Sequence, residues 1–347
     1  MESQGPALRS PIRRWLPVII ALVVAVVAAG VLVVTSGESD DAVVVYNGRS
    51  HYGGEEAFAA FTRETGIKVK LFGGDAQSLH DRLEGEGANT KADLLITVDG
   101  ANLWRAKNAG FLLAANSTVI DDAIPATLRD ADHMWTALST RVRTPMRSTK
   151  VAADAVPTYE SLGDPKWKGK LCLRTSTSIY NLSLVADFIA KRGEAATEAL
   201  LRSWMANKPK ILGNDVEVLN AINRGRCDVG LANHYYLARQ LLKNSSYRVA
   251  PAFPTAEPAG VHANLSGAGV VKYTDRKADA VKLLEFLVQR EAQEAFAEQG
   301  EFPANPDVEP IEVVAEWRDV KLDPINSEAA GKDGKAAVRL MRKVGWN

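Results

Sequence analysis

The stretch AVVVYNGRSHYGGEEAFAAFTRETG (residues 42–66) reads as one βα unit. Its first five residues are apolar and mostly β-branched, which suits a buried strand. EEAFAAFTRETG then spaces Phe58 and Phe61 on one helical face and stops at Gly66. His51 and Tyr52 fall between strand and helix. In an open α/β sheet that is the carboxyl edge, where ligands bind.

The same alternation continues on both sides. IKVKLF (67–72) and ADLLITV (92–98) read as strands, and AQSLHDRLEGEG (76–87) and ANLWRAKNAG (101–110) as helices. HMWTALSTRVRTPM (133–146) turns extended without a helix, as a segment passing from one lobe to another would. The alternation then restarts with the strand GKLCLRT (169–175) and the helices IYNLSLVADFIAKRG (179–193), EAATEALLRSWMAN (194–207) and DVEVLNAINRG (215–225). The strand CDVGLAN (227–233) and the helix HYYLARQLLKN (234–244) follow. After GVHANLSGAGVV (260–271), a long helical stretch (277–300) has a break expected near Arg290. The pattern predicts an α/β fold with a largely parallel sheet.

The chain has 347 residues, 46% of them hydrophobic and 24% charged, enough for a substantial core and two domains. Its formal net charge of +0 gives no basic surface for nucleic acid. Arg9, Arg13 and Arg14 precede LPVIIALVVAVVAAGVLVV (16–34), an uncharged run of 19 residues. At ~1.5 Å per residue this can cross a hydrocarbon core of ~30 Å. Basic residues before it place the N-terminus in the cytoplasm and everything from about Ser36 outside. The run is longer than a cleavable h-region and no A-x-A site follows, so an uncleaved membrane anchor is expected over a signal peptide. Outside the membrane the two cysteines, Cys172 and Cys227, each in a predicted strand, can either pair or stay as buried thiols.

The carboxyl-edge rule selects more than His51 and Tyr52. Tyr180 follows the strand GKLCLRT, and Tyr235 and Tyr236 follow CDVGLAN, each at a helix start. Phenolate is a hard anionic donor and imidazole is acceptable to iron, so several tyrosines with one histidine suit a small, highly charged cation such as ferric iron. Zinc or copper would favour His and Cys, and calcium or magnesium carboxylates and carbonyls. Packing and surface roles are the ordinary alternative for each residue taken singly. Arg143 and Arg174 either balance phenolate charge in the cleft, or hold a small anion there, or form ordinary surface pairs. Asp99 is either an outer partner of the site or, preferably, a helix N-cap. His80 and His133 read as surface or core residues, and His234 as a helix start.

ADLLITVDGANLWRAKNAG (92–110), DPKWKGKLCLRTSTSIYNLSLVA (164–186), GRCDVGLANHYY (225–236), GVHANLSGAGVV (260–271) and LEFLVQREAQEAFAEQGEFP (284–303) carry a resemblance. They look like the iron-binding extracytoplasmic substrate-binding proteins of bacterial ABC transporters, the bacterial transferrin-like family, over nearly all of the chain after residue 41. The resemblance implies a two-lobed α/β fold of the type II periplasmic-binding-protein kind. Two crossing strands, near residues 138–143 and 263–267, would join the lobes beside a cleft. Residues 1–40 would be the cytoplasmic tip and anchor, 41–138 with 267–347 the first lobe, and 139–266 the second. In the branch with HY after the first strand, iron is held by positions matching His51, Tyr52, Tyr180, Tyr235 and Tyr236 here.

The sequence departs from the family in RVRTPMRSTK (141–150), where Arg147 stands in place of an expected tyrosine. The implied function is capture of iron, ferric by preference with ferrous as the alternative, by a monomer that hands it to an ABC permease, with no catalysis. A binder of another small solute or oxyanion on the same fold is the alternative. A metal-dependent enzyme is less favoured, because no H-E-x-x-H or G-x-S-x-G motif occurs.

Overall fold

In the computed structural model, residues 41–49 and 55–347 are described. The 19-residue apolar run and the pair His51 and Tyr52 lie outside them. Among the described residues, no helix is long and apolar enough to cross a membrane.

The strands, in chain order, are β1 (Ala42–Asn47), β2 (Lys68–Gly73), β3 (Leu94–Thr97), β4 (Leu112–Leu113), β5 (Thr136–Ser148) and β6 (Leu171–Arg174). They continue with β7 (Lys210–Leu212), β8 (Val229–Asn233), β9 (Val249–Pro251), β10 (Ala263–Val271) and β11 (Phe302–Pro303). The main path of pairing runs β2-β1-β3-β10-β5-β8-β6-β7, with β4, β9 and β11 on its flanks. The sheet is mixed, which corrects the expectation of a largely parallel one. β1 lies parallel to β3, and β6 is parallel to both β7 and β8, as strands joined through crossover helices do. Every antiparallel pairing described involves β5 or β10. These are the segments expected to cross between lobes, so they run against the strands on either side.

β5 is the structural spine. Its 13 residues, at ~3.3 Å each, are longer than one small sheet requires. Thr136–Val142 pairs with β10, and from Arg143 onward the strand pairs with β8. A bulge between Ser266 and Gly267 adjusts the register of β10 against β5.

Separate apolar clusters flank that change of partner. One gathers Val43, Val45, Phe61, Leu94, Ile96, Leu138, Leu265 and Phe296. Another gathers Leu171, Leu184, Trp204 and Leu231 with Leu340, Met341 and Trp346 from the chain's end. A third surrounds Cys172 and Cys227 with Met146, Val218, Ile222 and Leu237. The C-terminal helix Ser327–Lys343 touches helix Gly100–Asn108 as well as helix Ile179–Ala206.

The two predicted helices abut at Gly193 across a kink, where the backbone is non-helical with φ 77° and ψ 162°. Glycine tolerates that backbone where a Cβ would be strained. The expected break near Arg290 separates helices Lys277–Leu287 and Arg290–Ala297. Cys172 lies in β6, whereas Cys227 lies just ahead of β8 and not inside it. The two are joined as a disulfide, with Cα atoms 5.9 Å apart.

Candidate metal centre

β6 and β8 are adjacent and parallel, so their carboxyl ends lie side by side and a helix starts beyond each. Tyr180 is the second residue of helix Ile179–Ala206, and Tyr235 and Tyr236 are the second and third of helix His234–Lys243. The three tyrosines form one cluster with Ile179 and with Val98, which follows β3. Tyr180 and Tyr235 are buried, and Tyr236 is half-buried. The rings of Tyr235 and Tyr236 have centroids 4.3 Å apart. Asn233 Nδ2 donates to the Tyr235 hydroxyl at 3.3 Å.

Cationic groups surround this cluster. The Arg141 guanidinium lies 5.2 Å and that of Arg174 5.5 Å from the Tyr180 ring centroid, and Arg239 lies 4.9 Å from that of Tyr235. Burial acts to lower the Arg141 pKa, but the negative charge available on Tyr180, Glu301, Tyr235 and Asp99 outweighs it and raises the guanidinium above its ordinary value. Arg141 is therefore a permanent positive charge facing the phenols. It was not singled out from the sequence, although strand alternation puts it on the same face as Arg143.

Arg143 and Arg174 meet at one buried carboxylate. Arg143 Nη1 donates to Asp215 Oδ1 at 2.7 Å and Arg174 Nη1 to Asp215 Oδ2 at 2.6 Å. Arg143 also donates to Asn181 Oδ1 at 2.9 Å and Asn233 Oδ1 at 3.0 Å, residues next to Tyr180 and two before Tyr235. Burial pushes the Asp215 carboxyl up, but the charges of Arg143 and Arg174 prevail and hold it below the ordinary carboxylate value. Both arginines are thus internally paired, not surface-paired. Asp215, a helix-start aspartate, carries no local mark of such a role in the sequence.

Asp99 caps helix Gly100–Asn108, accepting from Ala101 N at 2.8 Å, as preferred from the sequence. It also accepts from Asn264 Nδ2 at 2.7 Å and from the Ser183 hydroxyl, so it links β3, β10 and the Tyr180 helix. A small cavity lined by Arg141, Arg143, Tyr180, Asn233, His262 and Asn264 lies within this framework.

His234 does start its helix and is fully buried, stacked 4.5 Å from Phe302. Its Nδ1 accepts from Val142 N at 3.2 Å. His80 packs edge-on against Phe111, and His133 lies 3.5 Å from Asp121. Arg147, in the place of the expected tyrosine, donates to Val151 O at 2.8 Å.

The described chain approaches His51 as far as Arg49. Gly48 N donates to Ile96 O at 2.8 Å, which sets this segment at the carboxyl end of β3, the end that also leads to Val98. Arg49 is buried and donates to Ser139 Oγ at 2.8 Å and to Glu301 Oε2 at 3.0 Å. The structure thus brings Tyr180, Tyr235 and Tyr236 together. It leaves His51 and Tyr52 outside the described residues.

Residues 89–325 match the model of a family described as bacterial extracellular solute-binding protein. The chain is 38% identical over 323 residues to iron uptake protein A1 of Synechocystis sp., covering 90% of this chain and 89% of the relative. It is 29% identical to the major ferric iron-binding protein of Neisseria meningitidis, with 92% and 97% of the two chains covered. Among solved structures, the Trichodesmium protein in complex with iron and citrate is similar at a TM-score of 0.80 and 39% identity, covering 88% of this chain and all of that one. Matched over most of its length and at this identity, the chain belongs to the bacterial extracellular solute-binding proteins and has their two-lobed fold.

Proposed function

We propose that this protein captures ferric iron outside the cytoplasm and delivers it to an ABC permease, without catalysis. The observation that carries this reading is the convergence of Tyr180, Tyr235 and Tyr236 beneath Arg141 and Arg174. Three phenols offer hard anionic oxygens, and the guanidinium charges lower the electrostatic cost of ionising them together. His51 and Tyr52, which follow β1 in sequence, complete the ligand set in this reading. Relatives named for iron uptake and ferric iron binding support it.

The lobes are proposed as residues 41–138 with 267–347, and residues 139–266. The change of partner along β5 at Arg143 supports that division, while the helix Ser327–Lys343 touches helices of both. Iron held by residues of both lobes would draw them together about β5 and β10. Arg9, Arg13 and Arg14 followed by an uncharged 19-residue run support an N-terminal membrane anchor.

The test is a titration of metal-free protein with ferric citrate, followed by desalting, elemental analysis and visible spectroscopy. One iron per chain with a phenolate-to-iron charge-transfer band is expected. A colourless protein without retained iron would favour the alternative, a binder of another small solute on this fold.

A further inference from the structure

Asp187, His262 and Asp323 bring two carboxylates and an imidazole together, and His262 also lines the small cavity beside Tyr180. One donor atom from each lies within 4.8 Å of the others. All three are more than nine-tenths buried, at 6%, 6% and 5% exposure. Each comes from a different segment. Asp187 is on helix Ile179–Ala206, His262 immediately precedes β10, and Asp323 lies on a loop tied to Val261 by Val261 N to Lys321 O at 2.8 Å and Asp323 N to Val261 O at 2.9 Å. His262 Nδ1 stands 3.3 Å from Asp187 Oδ2, and its backbone N–H donates to Tyr159 Oη at 3.1 Å.

One ammonium, that of Lys191, pairs with both carboxylates of this group. Lys191, a third exposed, reaches Asp187 Oδ1 at 2.7 Å and also pairs with Asp323 Oδ2. With a neutral imidazole, one ammonium faces two carboxylates, and Asp323 Oδ1 is buried without a hydrogen-bond partner. An uncompensated buried carboxylate oxygen is costly unless a proton or cation meets it. Burial accordingly pushes the Asp323 carboxyl up; Lys191 opposes that rise and the charge of Asp187 adds to it.

We propose that Asp187, His262 and Asp323 form a second metal site, for a zinc-class divalent cation, at the entrance to β10. One nitrogen and two carboxylate donors suit such an ion and leave a coordination position for water. Two carboxylates and a dication sum to zero, so the ion neutralises the group as Lys191 alone does not. Lys191 is the competitor: its ammonium bridges the carboxylates in the metal-free state and can withdraw toward solvent along its flexible stem. The bound ion would tie helix Ile179–Ala206 to the root of β10 and stiffen the point at which one crossing strand begins.

The experiment uses the full chain carrying Tyr180→Phe, Tyr235→Phe and Tyr236→Phe, so that the phenolate cluster contributes nothing. Equilibrium dialysis against zinc up to about 100 µM, in the range of ordinary weak to moderate sites, should give one ion per chain. Cobalt in its place should give the visible d–d bands of a nitrogen- and oxygen-ligated ion. Adding His262→Gln should weaken zinc by about 10–100-fold, as loss of a ligand does at least. Adding Lys191→Met should instead tighten it by about tenfold or more, because it removes the internal cation. Absence of bound zinc, unweakened zinc affinity in His262→Gln, or unchanged affinity in Lys191→Met each overturns the proposal. Should His262→Gln fail the circular-dichroism check for folding, the Lys191→Met comparison decides alone. A purely structural ion network predicts that Lys191→Met loses stability and gains no zinc.

Discussion

The rings of Tyr235 and Tyr236 stand 4.3 Å apart at an interplanar angle of 39°, although the two residues are consecutive on one helix. Neighbouring helical side chains project about 100° apart and do not ordinarily face each other. Their approach is possible here because both lie in the first turn of helix His234–Lys243. Tyr235 turns inward to Asn233 and Tyr236 stays at the edge of the cluster.

Replacing both by phenylalanine removes two hydroxyls and leaves the apolar packing in place. The variant Tyr235→Phe/Tyr236→Phe should fold with a melting temperature within a few degrees of the parent, since each lost neutral hydrogen bond is worth about 0.5–1.5 kcal/mol. Its ferric affinity should fall by at least about 100-fold, because two anionic donors leave the metal, and the visible band should weaken. Competition against a chelator reads the affinity directly. Unchanged affinity would remove these two residues from the ligand set.

Asp215 should be the costliest single polar change near the site. Asp215→Asn leaves Arg143 and Arg174 facing a neutral amide inside the protein, a loss of about 3–5 kcal/mol at neutral pH. The pH dependence has a definite sign. The folded-state pKa of Asp215 lies below its ordinary value of 3.8. The stabilisation is therefore fully present above the unfolded value and disappears as pH falls through the folded one. Denaturant unfolding of metal-free protein should show the gap between parent and Asp215→Asn shrinking below about pH 4. A gap that is constant from pH 7 to pH 3 would mean that the carboxylate charge is not what stabilises the pair of arginines.

Much of this arrangement was legible because strands with β-branched residues and helices with paired aromatics or leucines announce themselves locally. The positions of Tyr180 and Tyr235 followed from that alternation and the carboxyl-edge rule. Other features depend on contacts that no local pattern records. TALSTRVRTPMRS (136–148) reads as extended, but its exchange of β10 for β8 at Arg143 is a property of the partners. For the same reason no local pattern marks the antiparallel course of β5 and β10. Ser327–Lys343 gives no sign in sequence that Leu340 and Met341 enter the core around Trp204. Asp215 looked like any acidic residue in a first helical turn, and only the convergence of Arg143 and Arg174 distinguishes it.

Gly267 tests the closeness of the crossing strands. A Cβ at this position would stand 2.5 Å from Thr136 O and 2.7 Å from a methyl of Leu103. The backbone oxygen cannot move aside without disturbing β5, so Gly267→Ala should destabilise the protein by about 1–3 kcal/mol, the usual range for overpacking. Chemical denaturation provides the measurement. A substitution that is neutral would show that β10 can separate from β5 here at little cost.

The disulfide between Cys172 and Cys227 fastens β6 to the approach of β8, the two strands whose ends present the tyrosines. Its partners are 55 residues apart in sequence. Closing a loop of that length in the unfolded chain corresponds to about 4 kcal/mol in the chain-entropy description. Such a bond persists in oxidising compartments, as expected for a chain exported beyond the cytoplasm. Denaturing oxidised protein beside protein reduced by a phosphine compares the two states without changing a residue. The reduced form should unfold at lower denaturant, and its iron affinity should fall less than its stability, because the sulfur atoms lie in the core around Val218 and Ile222 and not in the tyrosine cluster. Equal unfolding midpoints, with free thiols verified by mass, would mean that packing around β6 and β8 already holds the two strands together without the bond.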